Sequence, residues 1–433
     1  MLALYSFLLA VGFILMLPFF LLKREKYVSG LRQRMGFLPE FVPDDRPVVW
    51  IHCVSVGETN AARPLVEEIR KNYPAHRLIV STTTKTGQEL AREVFKDAAE
   101  TFFYFPFDWK FAVRRALRRF RPDLILLVET EIWFRFLREA DRAGARTAIV
   151  NGRLSEKSFR NFARIGFLMR RVLSHLDLAL MQTEDDARRL AALGLAPEKA
   201  RVTGNVKFDL AFEPAESELT RRFRERFAVR EDAPLVLAAS THAPEERLVL
   251  EAFRRAAKKT GRDLRLMLVP RHPERFGEVA ELIGASGLPW ARRSAEAAAS
   301  DRAAEVILLD SIGELRAAYA LAEIVFVGGS LIPHGGQSVL EPAAAGRAIV
   351  TGPYTMNFAA VVKEFDARRA LIQLRATDEQ AIVEELTAAF VRLLENAEER
   401  RALADGALAV MRQNRGATAA TVGFLRPFLE APR

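Results

Sequence analysis

The sequence predicts an α/β protein made of two doubly wound parallel-sheet domains behind one apolar N-terminal segment. Three observations carry that expectation. Short apolar runs alternate with helical patterns along nearly the whole chain, the signature of parallel sheets covered by helices. The alternation lapses once, at Phe208–Glu218 (FDLAFEPAESE), and then restarts. Leu2–Leu22 carries no charged residue. The chain has 433 residues, room for about two or three domains. Half are hydrophobic and 27% are charged, so the chain is globular rather than disordered.

Taken in order, the N-terminal run of 21 uncharged residues is close to the ~20 that span a bilayer. Lys23, Arg24, Lys26, Arg32 and Arg34 follow it and hold that flank in the cytoplasm. No basic region precedes the run and no small-residue cleavage site follows, which disfavours a cleaved signal peptide. Pro18 also permits a kinked or partly embedded helix, and a buried N-terminal helix is the alternative to a membrane anchor.

The expected strands of the first half are Val48–Val54, Leu78–Ser81, Thr101–Phe105, Leu124–Val128, Thr147–Val150, Leu178–Met181 and Arg201–Thr203. Helical patterns lie between them at Asn60–Asn72, Gly87–Phe95, Trp109–Phe120 and Ser155–His175. Phe208–Glu218, with Pro214, reads as the linker. The second half offers Leu235–Ala239, Leu264–Val269, Val306–Leu309, Ile324–Val327 and Ala348–Val350, and long helices close the chain from about Ala376. The domains expected are an anchor at 1–22, a first domain at 23–210 and a second at 211–433, whose last helix is free to pack back on the first.

Composition narrows the function. The formal charge of +9 admits nucleic acid, an anionic membrane surface or anionic substrates. No nucleic-acid motif is present, and the aromatics sit in apolar runs rather than on a basic stacking face. The single Cys53 lies in VVWIHCV and reads as a packed core thiol. Six histidines show no metal spacing, and no Asp-x-Asp sits at a strand end, so no metal is expected. Neither GxGxxG nor GxxxxGK[ST] occurs, which removes support for a dinucleotide oxidoreductase or a P-loop enzyme.

The richest stretch is Ile324–Gly346. An apolar run stops on Gly328-Gly329, a loop carries Gly335-Gly336, and Ser338 opens a helical run with Glu341 and Pro342. Strand, glycine turn and helix N-terminus direct backbone N–H groups toward an anion, and Glu341 suits ribose hydroxyls. A tight turn between packed elements is the alternative. Elsewhere, Glu58 in VSVGE stands in the first turn of a helix, as a general base or as a helix-dipole carboxylate. That dipole lowers its pKa and weakens it as a base unless closure over substrate desolvates it. Glu129-Thr130-Glu131 ends the strand LILLV. Either both carboxylates share one side, or Glu131 begins the next helix and Glu129 alone faces the cleft; the second reading is preferred because Ile132-Trp133 reads as a helix start.

Lys207 in GNVKFD closes the last strand of the half and could reach an anionic substrate group, and Asn151-Gly152-Arg153 ends another strand similarly. Arg271, before a helix started by Pro273, is placed for a phosphate or carboxylate. Ser240-Thr241-His242 lies at the end of the preceding strand, and Asp310–Glu314 is another strand end leading to a helix. Arg114, Arg115, Arg118, Arg119 and Arg121 make a basic face that is either solvated or turned to lipid phosphates.

Two doubly wound, Rossmann-like domains facing across a cleft form the GT-B architecture of glycosyltransferases. The segments VSVGET, ETEIW, NGRLS, GNVKFD, PRHPERF, IGEL, FVGGSL and GGQSVLEPAAAG, in that order, resemble the 3-deoxy-D-manno-octulosonic acid (Kdo) transferases over essentially the whole chain. The resemblance implies a cell inner membrane enzyme with its catalytic domains on the cytoplasmic side. It would transfer Kdo from CMP-Kdo to a lipid A precursor, lipid IVA, in lipopolysaccharide biosynthesis. Transfer would proceed with inversion and without metal or other cofactor. Its implied partners are CMP-Kdo, the acceptor lipid and inner membrane lipids, with no nucleic acid. By motif, Glu58 matches the catalytic base, and Glu129 and Lys207 match groups that stabilise the transition state. Pro270 and Arg271, then Ile312, Gly313 and Glu314, then Ser338, Val339, Leu340 and Glu341 match the CMP-binding segments. Where the family has His-Asn-Pro, this chain has Gln337-Ser338-Val339, and Phe134-Arg135 replaces the family's Pro-Asn. A UDP-sugar transferase or epimerase, and a non-catalytic membrane-anchored binding module, are the other readings the residues leave open.

Overall fold

The computed structural model describes residues 30–209, 217–230 and 232–430. The expected anchor Leu2–Leu22 and most of the expected linker lie outside them. Among the described residues no helix is long and apolar enough to cross a membrane. The chain divides into two compact units, residues up to 210 together with 414 onward, and residues 211–413.

The first unit is a seven-stranded parallel sheet: β1 (Val48–Cys53), β2 (Arg77–Thr82), β3 (Thr101–Tyr104), β4 (Leu124–Val128), β5 (Arg146–Gly152), β6 (Leu178–Met181) and β7 (Ala200–Val202). Their order is β3-β2-β1-β4-β5-β6-β7. The strands are nearly continuous apolar runs because helices cover both faces of a parallel sheet. Alternation then sorts the side chains. Val48 and Trp50 join one core with the helices Lys110–Phe120, Phe134–Arg142, Gly166–Leu173 and Glu184–Ala192. Val49, Ile51 and Cys53 point the other way, into a core with Val56–Asn72, Lys85–Val94 and the last helix, Ala417–Leu429. Trp50 anchors the first core. It is fully buried, its ring lies 5.1–6.1 Å from those of Phe103, Phe105, Phe120 and Phe136, and its indole N–H donates to Ser81 Oγ at 2.7 Å.

The second unit repeats the scheme with β8 (Leu235–Thr241), β9 (Arg265–Pro270), β10 (Trp290–Arg292), β11 (Val306–Leu308), β12 (Ala322–Val327), β13 (Ala348–Thr351) and β14 (Ile372–Gln373). All are parallel, in the order β10-β11-β9-β8-β12-β13-β14. In each sheet the order reverses beside the first strand, between β1 and β4 and between β8 and β12. A crevice opens at the carboxyl ends of the strands at such a point.

Four local expectations need correction. The helix expected over Ser155–His175 is two, Glu156–Ala163 and Gly166–Leu173, parted at Ile165. Two strands escaped the sequence reading, β10 and β14, both short and both at the edge of their sheet. Phe208, read as linker, is buried in a 3-10 turn, Val206–Phe208. The helix after β4 begins at Phe134, so neither Glu131 nor Ile132-Trp133 lies within it.

Trp50→Ala should lower the stability of the first unit by about 3–5 kcal/mol, the usual cost of emptying a packed aromatic site. Denaturant unfolding followed by circular dichroism would measure it.

Candidate active site

The carboxyl ends of β1, β4, β5 and β7 bring four segments together. Glu58 occupies the third position of the helix Val56–Asn72, behind Ser55 at its N-cap. Its carboxylate turns back on the chain: Oε2 accepts from the Val54 N–H at 2.6 Å and Oε1 from the Ser55 hydroxyl at 3.3 Å. The residue is 8% exposed. Burial, helped by the nearby charges of Glu129 and Glu131, pushes its pKa up to about 8, against the pull of the Val54 N–H. This corrects the expectation that the helix N-terminus leaves Glu58 a weak base. Desolvation outweighs the dipole, and it is in place before any substrate arrives.

Glu129 follows β4 with a left-handed backbone, φ 61°, while its N–H completes the ladder to Val150 O at 2.9 Å. A non-glycine residue there costs about 1–3 kcal/mol and persists only where the surroundings enforce it. Its Oε1 accepts from Lys207 Nζ at 2.9 Å. Glu131, two residues on, has its pKa raised to about 7, first by burial and then by Glu129. Lys207 therefore balances one of three clustered carboxylates.

The turn bearing Lys207 is held from several directions. Asn205 Oδ1 accepts from the Lys207 N–H at 3.0 Å. Asn151, itself at φ 53°, accepts from the Val206 N–H at 3.1 Å. Asp209 takes the N–H groups of Gly416 and Thr418 at 2.7 and 2.6 Å, which ties the turn to the start of the last helix. Ala61, Val206 and Ala417 pack beneath it. Asn151 and Asp209 thus act as positioning residues, a role that no local motif announced for Asp209.

In the second unit, Pro270 ends β9 and Arg271 follows it, Ile312, Gly313 and Glu314 follow β11, and Ser338, Val339, Leu340 and Glu341 lie beyond β12. The strands β11, β9, β8 and β12 are consecutive neighbours, so one sheet edge gathers all three segments. Pro270 and Val339 are buried, Ile312 is 80% exposed, and Gly313 turns the chain at φ 85°. Glu314 accepts from Arg293 at 2.9 Å, and Glu341 lies 3.7 Å from Arg316. Ser338 does not open the helix. A five-residue helix starts at Leu340, whose N–H donates to Ser338 Oγ at 3.3 Å.

The glycine turn differs most from expectation. The N–H groups of Gly329, Ser330 and Leu331 do not point at a ligand. They donate at 2.7–2.9 Å to Glu245, a fully buried carboxylate that also accepts from the His242 N–H. A Cβ on Gly328 would lie 2.7 Å from Ser240 O and Thr241 Cα, so that glycine serves close packing of the β8 and β12 ends. Among the described residues no group of three or more His, Cys, Asp or Glu side chains is arranged to hold a metal ion.

Residues 29–210 match the family model described as 3-Deoxy-D-manno-octulosonic-acid transferase (kdotransferase). A 3-deoxy-D-manno-octulosonic acid transferase of Haemophilus influenzae is 33% identical over 94% of this chain and 93% of its own. One from Bordetella pertussis is 35% identical over 88% and 87%. Among solved structures, the UDP-GlcNAc 2-epimerase of Neisseria meningitidis bound to UDP-GlcNAc covers 88% of this chain and 99% of its own at 14% identity, with a TM-score of 0.56. That likeness is one of fold alone.

The raised Glu58 value carries a stability prediction. Unfolded, the carboxyl ionises near its ordinary 4.5, and folded it holds its proton to about 8. The folded state binds more protons between those values, so its stabilising share is present below the lower pKa and is lost as pH rises to the upper one. Glu58→Gln keeps a neutral group throughout. Its stability relative to the native protein should rise by on the order of 1 kcal/mol or more between acid and mildly alkaline pH. Denaturant midpoints of the two proteins at both pH values test this.

Proposed function

We propose, for a chain that belongs to the 3-deoxy-D-manno-octulosonic acid transferase family and is a glycosyltransferase, that it moves Kdo from CMP-Kdo to a lipid A precursor, lipid IVA, in lipopolysaccharide biosynthesis. The observation that carries the reading is the desolvated Glu58 carboxyl beside the Glu129–Lys207 pair, at the point where the first sheet reverses its strand order.

In this reading the first unit receives the acceptor and the second the nucleotide sugar. Glu58, ionised, takes the proton of an acceptor hydroxyl. That oxygen attacks the anomeric carbon of Kdo from the side opposite the phosphate. The C–O bond to CMP breaks with its electrons leaving on the phosphate, in one inverting displacement that calls on no metal. Lys207, held by Glu129, stabilises charge as it develops. A base whose pKa lies near 8 is basic enough to accept the proton, and it is about half ionised near pH 8 and roughly one-tenth ionised at pH 7, which suits it to mildly alkaline conditions. In the second unit Pro270 and Arg271, Ile312–Glu314 and Ser338–Glu341 supply the CMP contacts. Leu2–Leu22 would hold the enzyme at the cytoplasmic side of the inner membrane, where its acceptor resides. The net charge of +9 suits a donor and an acceptor that are both anionic.

Acceptor-dependent CMP release from CMP-Kdo should be clear in the native protein. It should fall about 10²–10⁴-fold in Glu58→Gln, while CMP still raises the melting temperature of both. Stabilisation by UDP in place of CMP would redirect the donor assignment. For the native protein kcat/KM should drop by roughly tenfold per pH unit below about 8, since only the ionised carboxyl accepts the proton.

A further inference from the structure

With the turn after β12 closed on Glu245, its amides are not what meets an anion at this sheet edge. The same edge presents imidazoles. His242 follows β8, His272 follows β9, and His334 sits in the loop after β12. The rings of His242 and His334 lie 4.2 Å apart, and those of His242 and His272 5.2 Å. Gln337 Nε2 lies 3.3 Å from His242 Nε2. Arg271, exposed, adds a guanidinium from the end of β9.

We propose that the phosphate of the bound nucleotide is held by the His242–His334 pair together with Arg271, and that binding draws a proton onto that pair. The inference rests on the CMP-sugar reading above.

The surroundings support the proton step. Facing His242 are His334, His272 and Arg271, all of which oppose a positive charge on it, and Glu246, which favours one. Glu246 cannot do much, because it is clamped by Arg275 at 2.7 and 3.1 Å. Glu245, beneath, already takes four backbone N–H groups. Burial first, then the two neighbouring imidazoles, push the His242 pKa down to about 4, so the empty site holds it neutral. An anion placed among these rings reverses the balance, stabilising one imidazolium and relieving its repulsion from Arg271. The contact between the two rings makes a second imidazolium beside a first one costly.

Titration calorimetry of the full chain with CMP, in two buffers of different ionisation heat, counts the protons taken up on binding. The native protein, His242→Asn and His334→Asn would be compared from about pH 5.5 to about pH 8. The second ionisation of the CMP phosphate, near ~6, is common to all three. The native protein should take up more protons per CMP than either variant, by an amount approaching one near pH ~6. Both variants should bind several-fold more weakly there and nearly like the native protein at the alkaline end. Equal proton uptake in all three proteins would overturn the inference and leave the donor assignment standing. Absence of CMP binding to the native protein at every pH would remove the donor assignment and this inference with it. His334 is exposed, so its variant reports even where loss of His242 disturbs folding.

Discussion

Parallel pairing of β1 with β4, and of β8 with β12, is the constraint from which the chemistry follows. In each sheet the first strand lies beside one that comes much later in the chain, and the loops leaving the two carboxyl ends meet. In the first unit those loops carry Glu58 on one side and Glu129 and Glu131 on the other. Three carboxylates in one partly buried place are costly, and the cost appears as proton affinity. Lys207 relieves Glu129, and the other two carboxyls keep raised pKa values. A base suited to mildly alkaline pH arises first from burial and then from crowding that a solvated surface would have screened away.

The two units use the same position in different ways. Each has a buried glutamate in the first turn of the helix after its first strand, Glu58 after β1 and Glu245 after β8. Glu245 accepts four backbone N–H groups and fastens the β12 turn to the β8 end, so its hydrogen-bonding capacity is filled by structure. Burial raises the pKa of both, but Glu58 receives only one backbone N–H and one hydroxyl, which leaves acceptor sites on it unfilled. The difference between a structural and a reactive carboxylate here is the number of donors the fold supplies. Closure of the glycine turn on Glu245 also moves the burden of meeting an anion from backbone to side chains.

Much of the architecture was legible because apolar runs with turn residues at their ends announce buried parallel strands. Leu124–Val128 and Leu178–Met181 have the same bounds in sequence and structure. What escaped was short or marginal. β10 and β14 are edge strands of three and two residues, too brief for a pattern. The break at Ile165-Gly166 lies inside an unbroken helical periodicity. Glu131 was assigned to a helix that starts three residues later, at Phe134, because Ile132-Trp133 looks alike in a helix and in a buried loop.

By itself the sequence determined the α/β class, two alternating halves, the candidate residues Glu58, Glu129, Lys207 and Arg271, and a basic chain suited to anionic ligands. These are properties of local pattern and composition, which neighbouring residues encode. Only the tertiary structure decided which of these groups meet and what state they are in. Glu129 and Lys207 are 78 positions apart and form an ion pair at 2.9 Å. Glu58 became a stronger base rather than a weaker one, and the Gly328-Gly329 turn was closed by a glutamate more than eighty residues earlier. Burial and through-space charge set proton affinity, and both depend on contacts between distant segments that no local pattern records.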